Sequence, residues 1–265
     1  MIEPMKETLE YFEKALDSTM LPIEGRSALL KEAMRYAVGT GGKRIRPLVC
    51  LFSAKAVGGK MEDAVYPAVA IELLHNYTLV HDDLPAMDND RERRGMPAVW
   101  AKYGQANAIL VGDALLALAY RTAARAPRNV AQIIDELGEK GVGVVEGQVA
   151  DLCLEGASCE GKADLAEFVY EHKTADLFIA AAKMGALAAG AASEEVLILG
   201  EFARNLGLAF QYQDDLLDGD GAYSKDETQT LASEATEKAI NALKRLKGDT
   251  SFLEKLTTSL LGRKN

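Results

Sequence analysis

Cysteine is nearly absent from this chain. Only Cys50, Cys153 and Cys159 occur in 265 residues. The number is odd, and no CxxC pair or metal-type spacing appears. A disulfide framework and a thiolate metal site are both excluded, and reduced thiols in a cytoplasmic protein are expected. Histidine is equally scarce: His75, His81 and His172 are the whole complement. A metallohydrolase built on the His81-Asp82 pair needs several imidazole ligands and finds few here. Long apolar runs are missing too. None approaches the roughly 18 residues of a membrane span, and GALAAGAA at 185–192 is the nearest. The first residues, MIEPMKETLEYFEKAL, are acidic and amphipathic, unlike a signal peptide. There is no basic excess either. The net charge is −10, which argues against nonspecific binding to nucleic acid or to an anionic membrane. Locally clustered Lys and Arg can still hold phosphates.

What remains is a helix-rich composition. The chain is 48% hydrophobic and 26% charged, ordinary for a globular protein and enough for a substantial core. Alternating β-branched runs are rare. Apolar residues recur at three and four positions over 5–16, 27–38, 48–57, 64–80, 107–124, 130–155, 163–182, 194–217, 231–246 and 251–261. Gly and Pro punctuate the gaps, as in GTGGKRIRP (39–47), ARAPRN (124–129) and LEGASCEGK (154–162). ELLHNYTLV and LGLAFQYQ leave little polar face, which suits the interior of a large bundle. No linker or composition shift divides the chain. The expectation is one all-α domain over 1–265, with roughly ten helices around a central apolar cavity.

Two stretches carry the chemistry. In LVHDDLPAMDNDRERRG (79–95), dense acid adjoins Arg91, Arg93 and Arg94. Asp82 and Asp88 are six apart, wrong for one helical face, but Pro85 lies between them. A bulge at Pro85-Ala86 can return Asp88 to Asp82. In GLAFQYQDDLLDGDG (207–221), Asp214 and Asp218 are four apart, so they share a helical stripe, and Gln211 joins it. Crowded carboxylates on an apolar helix repel one another unless cations join them. Oxygen-only ligands favour a hard ion, and Mg²⁺ uses one or two carboxylates plus substrate phosphates. One such cluster alone reads as a solvated helix end; two on two apolar helices are hard to read that way. A calcium loop fits neither stretch, because arginines fill ligand positions in the first and the terminal Glu is missing from the second.

The cations are also grouped. GGKRIRP sets Lys43, Arg44 and Arg46 after a Gly-Gly turn, where backbone approach and basic side chains suit phosphate oxygens. Arg93 and Arg94 follow the first acid cluster, and Lys173 with Thr174 begins an apolar segment. Each alone reads as a basic loop, a charge balance or a snorkelling lysine, and His75 on its apolar helix as a core histidine. Taken together they imply two diphosphates, one held through Mg²⁺ and one by basic side chains, with an apolar channel for hydrocarbon.

The ordered set GGKRIRP, IELLHNYTLVHDDLPAMDND, RRGMP, GDALLALA, EGQVADL, HKTADLF and FQYQDDLLD resembles the bacterial trans-isoprenyl diphosphate synthases of farnesyl or geranylgeranyl type. The resemblance runs from about Tyr36 to Asp220. It implies the isoprenoid synthase fold, a homodimer, three Mg²⁺ ions, and isopentenyl diphosphate with an allylic prenyl diphosphate as substrates. It assigns Mg²⁺ binding to Asp82, Asp83, Asp88, Asp214, Asp215 and Asp218. Allylic-site catalytic roles fall to Arg93, Lys173, Thr174 and Gln211, and the isopentenyl site to Lys43, Arg46, His75 and Arg94. Bulky Tyr77, five residues before Asp82, and small Thr78 match the positions that set chain length. That pattern points to a C15 product, with C20 as the alternative. After Asp218 the chain departs. The family's Gly-Lys step, further Lys and Thr-Tyr pair give way to DGDGAYSKDETQTLASEATEKAI, a shortened block in which Lys225 is the candidate replacement lysine. The departure leaves open a natural short variant, a missing loop or, as a further alternative, a catalytically impaired subunit, against which the intact aspartates and arginines argue. A class I terpene cyclase would share the metal logic but needs no second diphosphate site.

Overall fold

The computed structural model describes residues 3–20, 27–156, 162–219 and 221–261. Cys159 and Asp220 lie outside the described residues. The apolar periodicities become α1 (Glu3–Thr19), α2 (Ala28–Gly39), α3 (Ile45–Ala56), α4 (Val65–Asp82), α5 (Val99–Tyr103), α6 (Gln105–Ala123), α7 (Val130–Gly156), α8 (Lys162–Val169), α9 (Asp176–Ala189), α10 (Ser193–Asp218), α11 (Lys225–Leu243) and α12 (Ser251–Leu261). The fold is all-α. Among the described residues the one sheet is a ribbon of β1 (Glu92–Arg93) and β2 (Met96–Pro97). Arg94 (φ 55°) and Gly95 (φ 75°) turn it, the two positive φ values a two-residue hairpin takes. Among the described residues no helix is long and apolar enough to cross a membrane.

Contacts divide the chain into two compact units, residues 1–48 with 65–126, and 49–64 with 127–265. In the first, α4 is the centre and packs on α6, α1 and α2. Lacking a polar face, it buries Ala68, Val69, Ala70, Ile71, Leu73 and Leu74 completely. The exception is Glu72, equally buried, which meets Arg44 at 2.6 Å. Pro47 falls in the first turn of α3, where its missing N–H is not needed.

In the second unit α9 is the interior helix, packed on α7 and α10, with Phe178 and Phe202 fully buried. Gly190, left-handed at φ 81°, stops it, and Ala191 N–H bonds back to Ala186 C=O at 3.0 Å. The apolar period predicts one helix over 163–182. The chain instead breaks it: α8 ends at Val169, a π-helical turn spans Tyr170–Ala175, and α9 follows. The shortened block after α10 is a closed connection. Gly219 (φ 78°) ends α10, its N–H bonded to Asp215 C=O at 2.8 Å. Ser224 then opens α11 with a reciprocal capping box to Glu227.

Candidate active site

Both aspartate clusters sit at helix C-termini. Asp82 is the last residue of α4, and Asp218 the last of α10. The exposed carbonyls there make a negative pole, so carboxylates at that end are electrostatically disfavoured and attract cations. In the first unit, the chain after Asp82 folds back. Met87 N–H bonds to Leu84 C=O at 2.8 Å, and Asp88 N–H to Asp82 C=O at 2.9 Å. The bulge at Pro85-Ala86 thus closes the six-residue spacing. Asp82 is half-buried and Asp88 exposed. Asp83 is 2% exposed and accepts from Arg93 Nε at 2.9 Å and from Arg93 Nη2. Burial pushes the Asp83 carboxyl up, and Arg93 opposes that shift.

The basic residues of this unit divide into two kinds. Arg44, left-handed at φ 48°, is buried and spent on the fold. It binds Glu72, Glu13 and Val38 C=O at 2.6, 2.7 and 2.7 Å. Arg46 Nη1 instead approaches His75 Nε2 at 3.4 Å. Arg94 reaches over the glycine turn and donates to Gly41 C=O. Its guanidinium lies where a Cβ on Gly42 would stand 2.6 Å away, so the approach needs glycine. Lys43, next to these groups in the chain, is exposed. His75 is held far below its ordinary pKa, first by burial and then by Arg46, Arg94, Arg44 and Arg93. A neutral imidazole with Arg46 beside it is an environment that suits an anion.

Tyr77 is half-buried on α4, its ring edge-on to His81 at 4.9 Å. Burial raises the pKa of the Tyr77 phenol, with Asp82, Asp113 and Tyr120 adding to the shift. Thr78 Oγ1 bonds its own helix at His75 C=O, 2.9 Å away. His81 Nε2 lies 3.1 Å from Ile109 C=O and fills the space left by Gly112, where a Cβ would be 2.1 Å from it. His81 thus packs between α4 and α6.

In the second unit a pocket of about 530 Å³ gathers Lys173, Thr174, Gln211 and Asp215. Thr174 Oγ1 donates to Gln211 Oε1 at 2.7 Å, and Gln211 Nε2 donates to Asp215 Oδ1 at 2.9 Å. Spacing puts Gln211 on the stripe of Asp214; its bond reaches Asp215, one residue round. Asp214 is half-buried and Asp218 exposed. Two further residues join that sequence reasoning does not single out. Asp151 pairs with Lys173 Nζ, and Tyr170 Oη donates to Asp215 Oδ2. Asp151 lies in the EGQVADL segment, four residues after Gly147, so helical spacing held the signal. Tyr170 also accepts from Ala222 N–H at 3.4 Å, and a Cβ on Gly221 would be 2.8 Å from Asp215. The shortened connection therefore lies directly on the second aspartate cluster. Lys225 is exposed at the start of α11 and is not among the residues lining the pocket, though Gly221 and Ala222 just before it are.

Among the described residues no three Asp, Glu, His or Cys side chains converge as a ready cage for a metal. Mg²⁺ does not require one, since substrate oxygens and water complete its octahedron. Oxygen-only carboxylates at two helix C-termini fit that mode of binding.

The family described as polyprenyl synthetase matches residues 27–245. The chain is 42% identical over 216 residues to a chloroplastic geranylgeranyl pyrophosphate synthase of Capsicum annuum, an alignment covering 77% of this chain and 57% of that protein. It is 40% identical over 221 residues to the geranylgeranyl diphosphate synthase of Methanosarcina mazei, covering 82% of this chain and 67% of that one. The chain thus spans little more than half the length of the Capsicum relative. The crystal structure of geranylgeranyl pyrophosphate synthetase from Pyrococcus horikoshii superposes with a TM-score of 0.89 at 30% identity, covering 98% of each chain. Those names do not favour the C15 expectation drawn from Tyr77.

Proposed function

The chain belongs to the polyprenyl synthetase family, and from that premise we propose that it is a short-chain trans-prenyltransferase, joining isopentenyl diphosphate to an allylic diphosphate. The observation that carries the proposal is the convergence of Lys173, Thr174 and Gln211 with Asp215 in one pocket. Donors for a diphosphate meet a carboxylate of the kind that holds Mg²⁺. The neutral His75 beside Arg46 supports a second anion site.

In this reading Asp82, Asp83, Asp88, Asp214, Asp215 and Asp218 would hold Mg²⁺, three ions by the family resemblance. Bound Mg²⁺ supplies charge that stabilises the departing diphosphate. Asp83 and Asp215 also orient their neighbours, through Arg93 in one case and Gln211 and Tyr170 in the other. Arg93, Lys173, Thr174 and Gln211 bind the allylic diphosphate and lower the barrier to breaking its C–O bond. Lys43, Arg46, Arg94 and His75 hold isopentenyl diphosphate so that its double bond attacks the allylic carbon. Apolar walls keep water from the cation. The proton then lost goes to the released diphosphate, so no side-chain base is required. The whole of 1–265 serves as one catalytic domain, working as a homodimer in the cytoplasm.

The product in this proposal is geranylgeranyl diphosphate, C20, on the strength of what the relatives are named. Tyr77 favours a second reading, farnesyl diphosphate, because a bulky ring before Asp82 stops chain growth. The test is to incubate the protein with Mg²⁺, labelled isopentenyl diphosphate and, in turn, dimethylallyl, geranyl and farnesyl diphosphates, and to size the prenyl alcohols. C20 from all three primers is expected. C15 that does not lengthen selects the second reading. Hydrocarbon released without isopentenyl diphosphate identifies a cyclase, and no incorporation at all overturns the proposal in favour of an impaired subunit.

A further inference from the structure

One buried charge in the second unit takes none of these roles. Asp176 opens α9, a helix buried almost along its length, and is 1% exposed. A carboxylate there is costly unless both oxygens are satisfied. They are. Asp176 Oδ2 lies 2.8 Å from His172 Nδ1, and Oδ1 lies 3.2 Å from Lys140 Nζ. The His172 ring leans on Phe168 with centroids 4.2 Å apart. Lys140 comes from α7, His172 from the π-helical turn and Asp176 from α9, so one cluster joins three elements.

The same face of α7 carries the rest of the contact. Lys140, Gly143, Gly147 and Asp151 follow at three- and four-residue spacing, one stripe of a helix. A Cβ on Gly143 would be 2.0 Å from Asp176 Oδ2, and one on Gly147 would be 2.4 Å from the Lys173 backbone N. Asp151 then takes the Lys173 ammonium. The π-helical turn is thus tied to α7 at two points, by Lys173–Asp151 within the turn and by Asp176 just after it.

This attachment has a geometric consequence. A π-turn holds one more residue than an α-turn. Relaxing it to α-geometry shifts the register by one residue, a rotation of about 100°. Lys173 and Thr174 lie inside that turn, and Thr174 meets Gln211 only as the turn now stands. We infer that Asp176, through His172 and Lys140, is a positioning residue for the allylic diphosphate site: it fixes the π-helical turn that presents Lys173 and Thr174. This rests on the prenyltransfer reading of that pocket.

Asp176→Asn removes the charge and nearly keeps the shape. His172→Phe keeps the ring against Phe168 and removes its bond to Asp176. Each variant and the wild type is assayed for kcat, for the KM of geranyl diphosphate and of isopentenyl diphosphate, and for Tm. Binding of geranyl diphosphate with Mg²⁺ is measured separately by calorimetry. Both variants are expected to raise the geranyl diphosphate KM and Kd by about tenfold, with the isopentenyl KM unchanged. A purely structural role lowers Tm and the active fraction and leaves both KM values alone; that result overturns the inference, as does an equal rise in both. The calorimetric arm separates the two claims. A wild type that binds geranyl diphosphate without turnover sinks the reaction, while the Kd ratio still decides the positioning role. A wild type that does not bind it sinks both.

Discussion

Removing Glu72 tests whether the basic loop is held by a buried ion pair. Arg44 and Glu72 have side chains 6% and 3% exposed and meet at 2.6 Å. Asn76 Nδ2 also donates to Glu72 Oε1 at 3.1 Å. Glu72→Ala leaves the guanidinium without its buried partner and Asn76 with one acceptor fewer. Breaking a buried pair costs about 3–5 kcal/mol; Arg44 keeps Glu13 and Val38 C=O, which places this loss at the lower end, about 3 kcal/mol. At roughly 2–4 °C per kcal/mol for a chain of this size, Tm falls by about 10 °C. Glu13 also binds Arg44, at 2.7 Å, but is 48% exposed, so Glu13→Ala loses less than about 1 kcal/mol. Replacing both partners, Arg44→Met with Glu72→Met, removes both charges and recovers most of the loss. Thermal unfolding by circular dichroism reads all four proteins. Because Arg44 lies between Lys43 and Arg46, the isopentenyl KM of Glu72→Ala should rise more than the allylic KM. A Glu72→Ala protein within about 1 kcal/mol of wild type, or a double variant less stable than the single, refutes the reasoning.

Three other outcomes are expected. Glu136 is buried against Lys183 Nζ at 2.7 Å, and burial holds its carboxyl above the ordinary 4.5 despite that partner. Lys183→Met removes the opposing charge and raises it further. The folded variant then keeps its proton to higher pH than wild type, so its Tm deficit is smallest below wild-type Glu136's own raised value and widens as pH rises from there toward the variant's still higher one; a deficit equal at all pH values contradicts this. His75 should show no imidazole titration by NMR between about pH 6 and pH 8 in the free protein, and added Mg²⁺-free inorganic diphosphate should raise its pKa toward that range; titration near the ordinary 6.5 without ligand contradicts the site of a neutral His75 beside Arg46. Tyr77→Ala should lengthen the products by at least one isoprene unit in the alcohol assay if Tyr77 sets the floor, and unchanged length removes it from that role.

Much of this molecule can be read before its structure is known. The apolar period gives α2 and α12 nearly to the residue, and Pro85 announces the turn that carries Asp88 back to Asp82. The two acid clusters are legible because carboxylates ending apolar helices have no comfortable structural explanation. The π-helical turn is not legible. Apolar recurrence continues smoothly through it, and an i→i+5 turn leaves no residue type behind. Its trace is on another helix, in the Gly143 and Gly147 that let α7 come close. GGKRIRP shows the opposite difficulty. Three neighbouring cations look alike in sequence, yet Arg44 turns inward to Glu72 and Arg46 toward His75. Glu72 lies 28 positions beyond Arg44, within α4, whereas Arg44 precedes α3. No local spacing links the two, so tertiary pairing alone decides which of the cations is buried.

The proposed reaction forms one carbon–carbon bond for each diphosphate released. The most direct measurement follows both quantities in one reaction of the wild-type protein with geranyl diphosphate, labelled isopentenyl diphosphate and Mg²⁺. Equal amounts of diphosphate released and label incorporated are expected, and neither without isopentenyl diphosphate. Diphosphate released at the same rate when isopentenyl diphosphate is left out would contradict the proposed reaction.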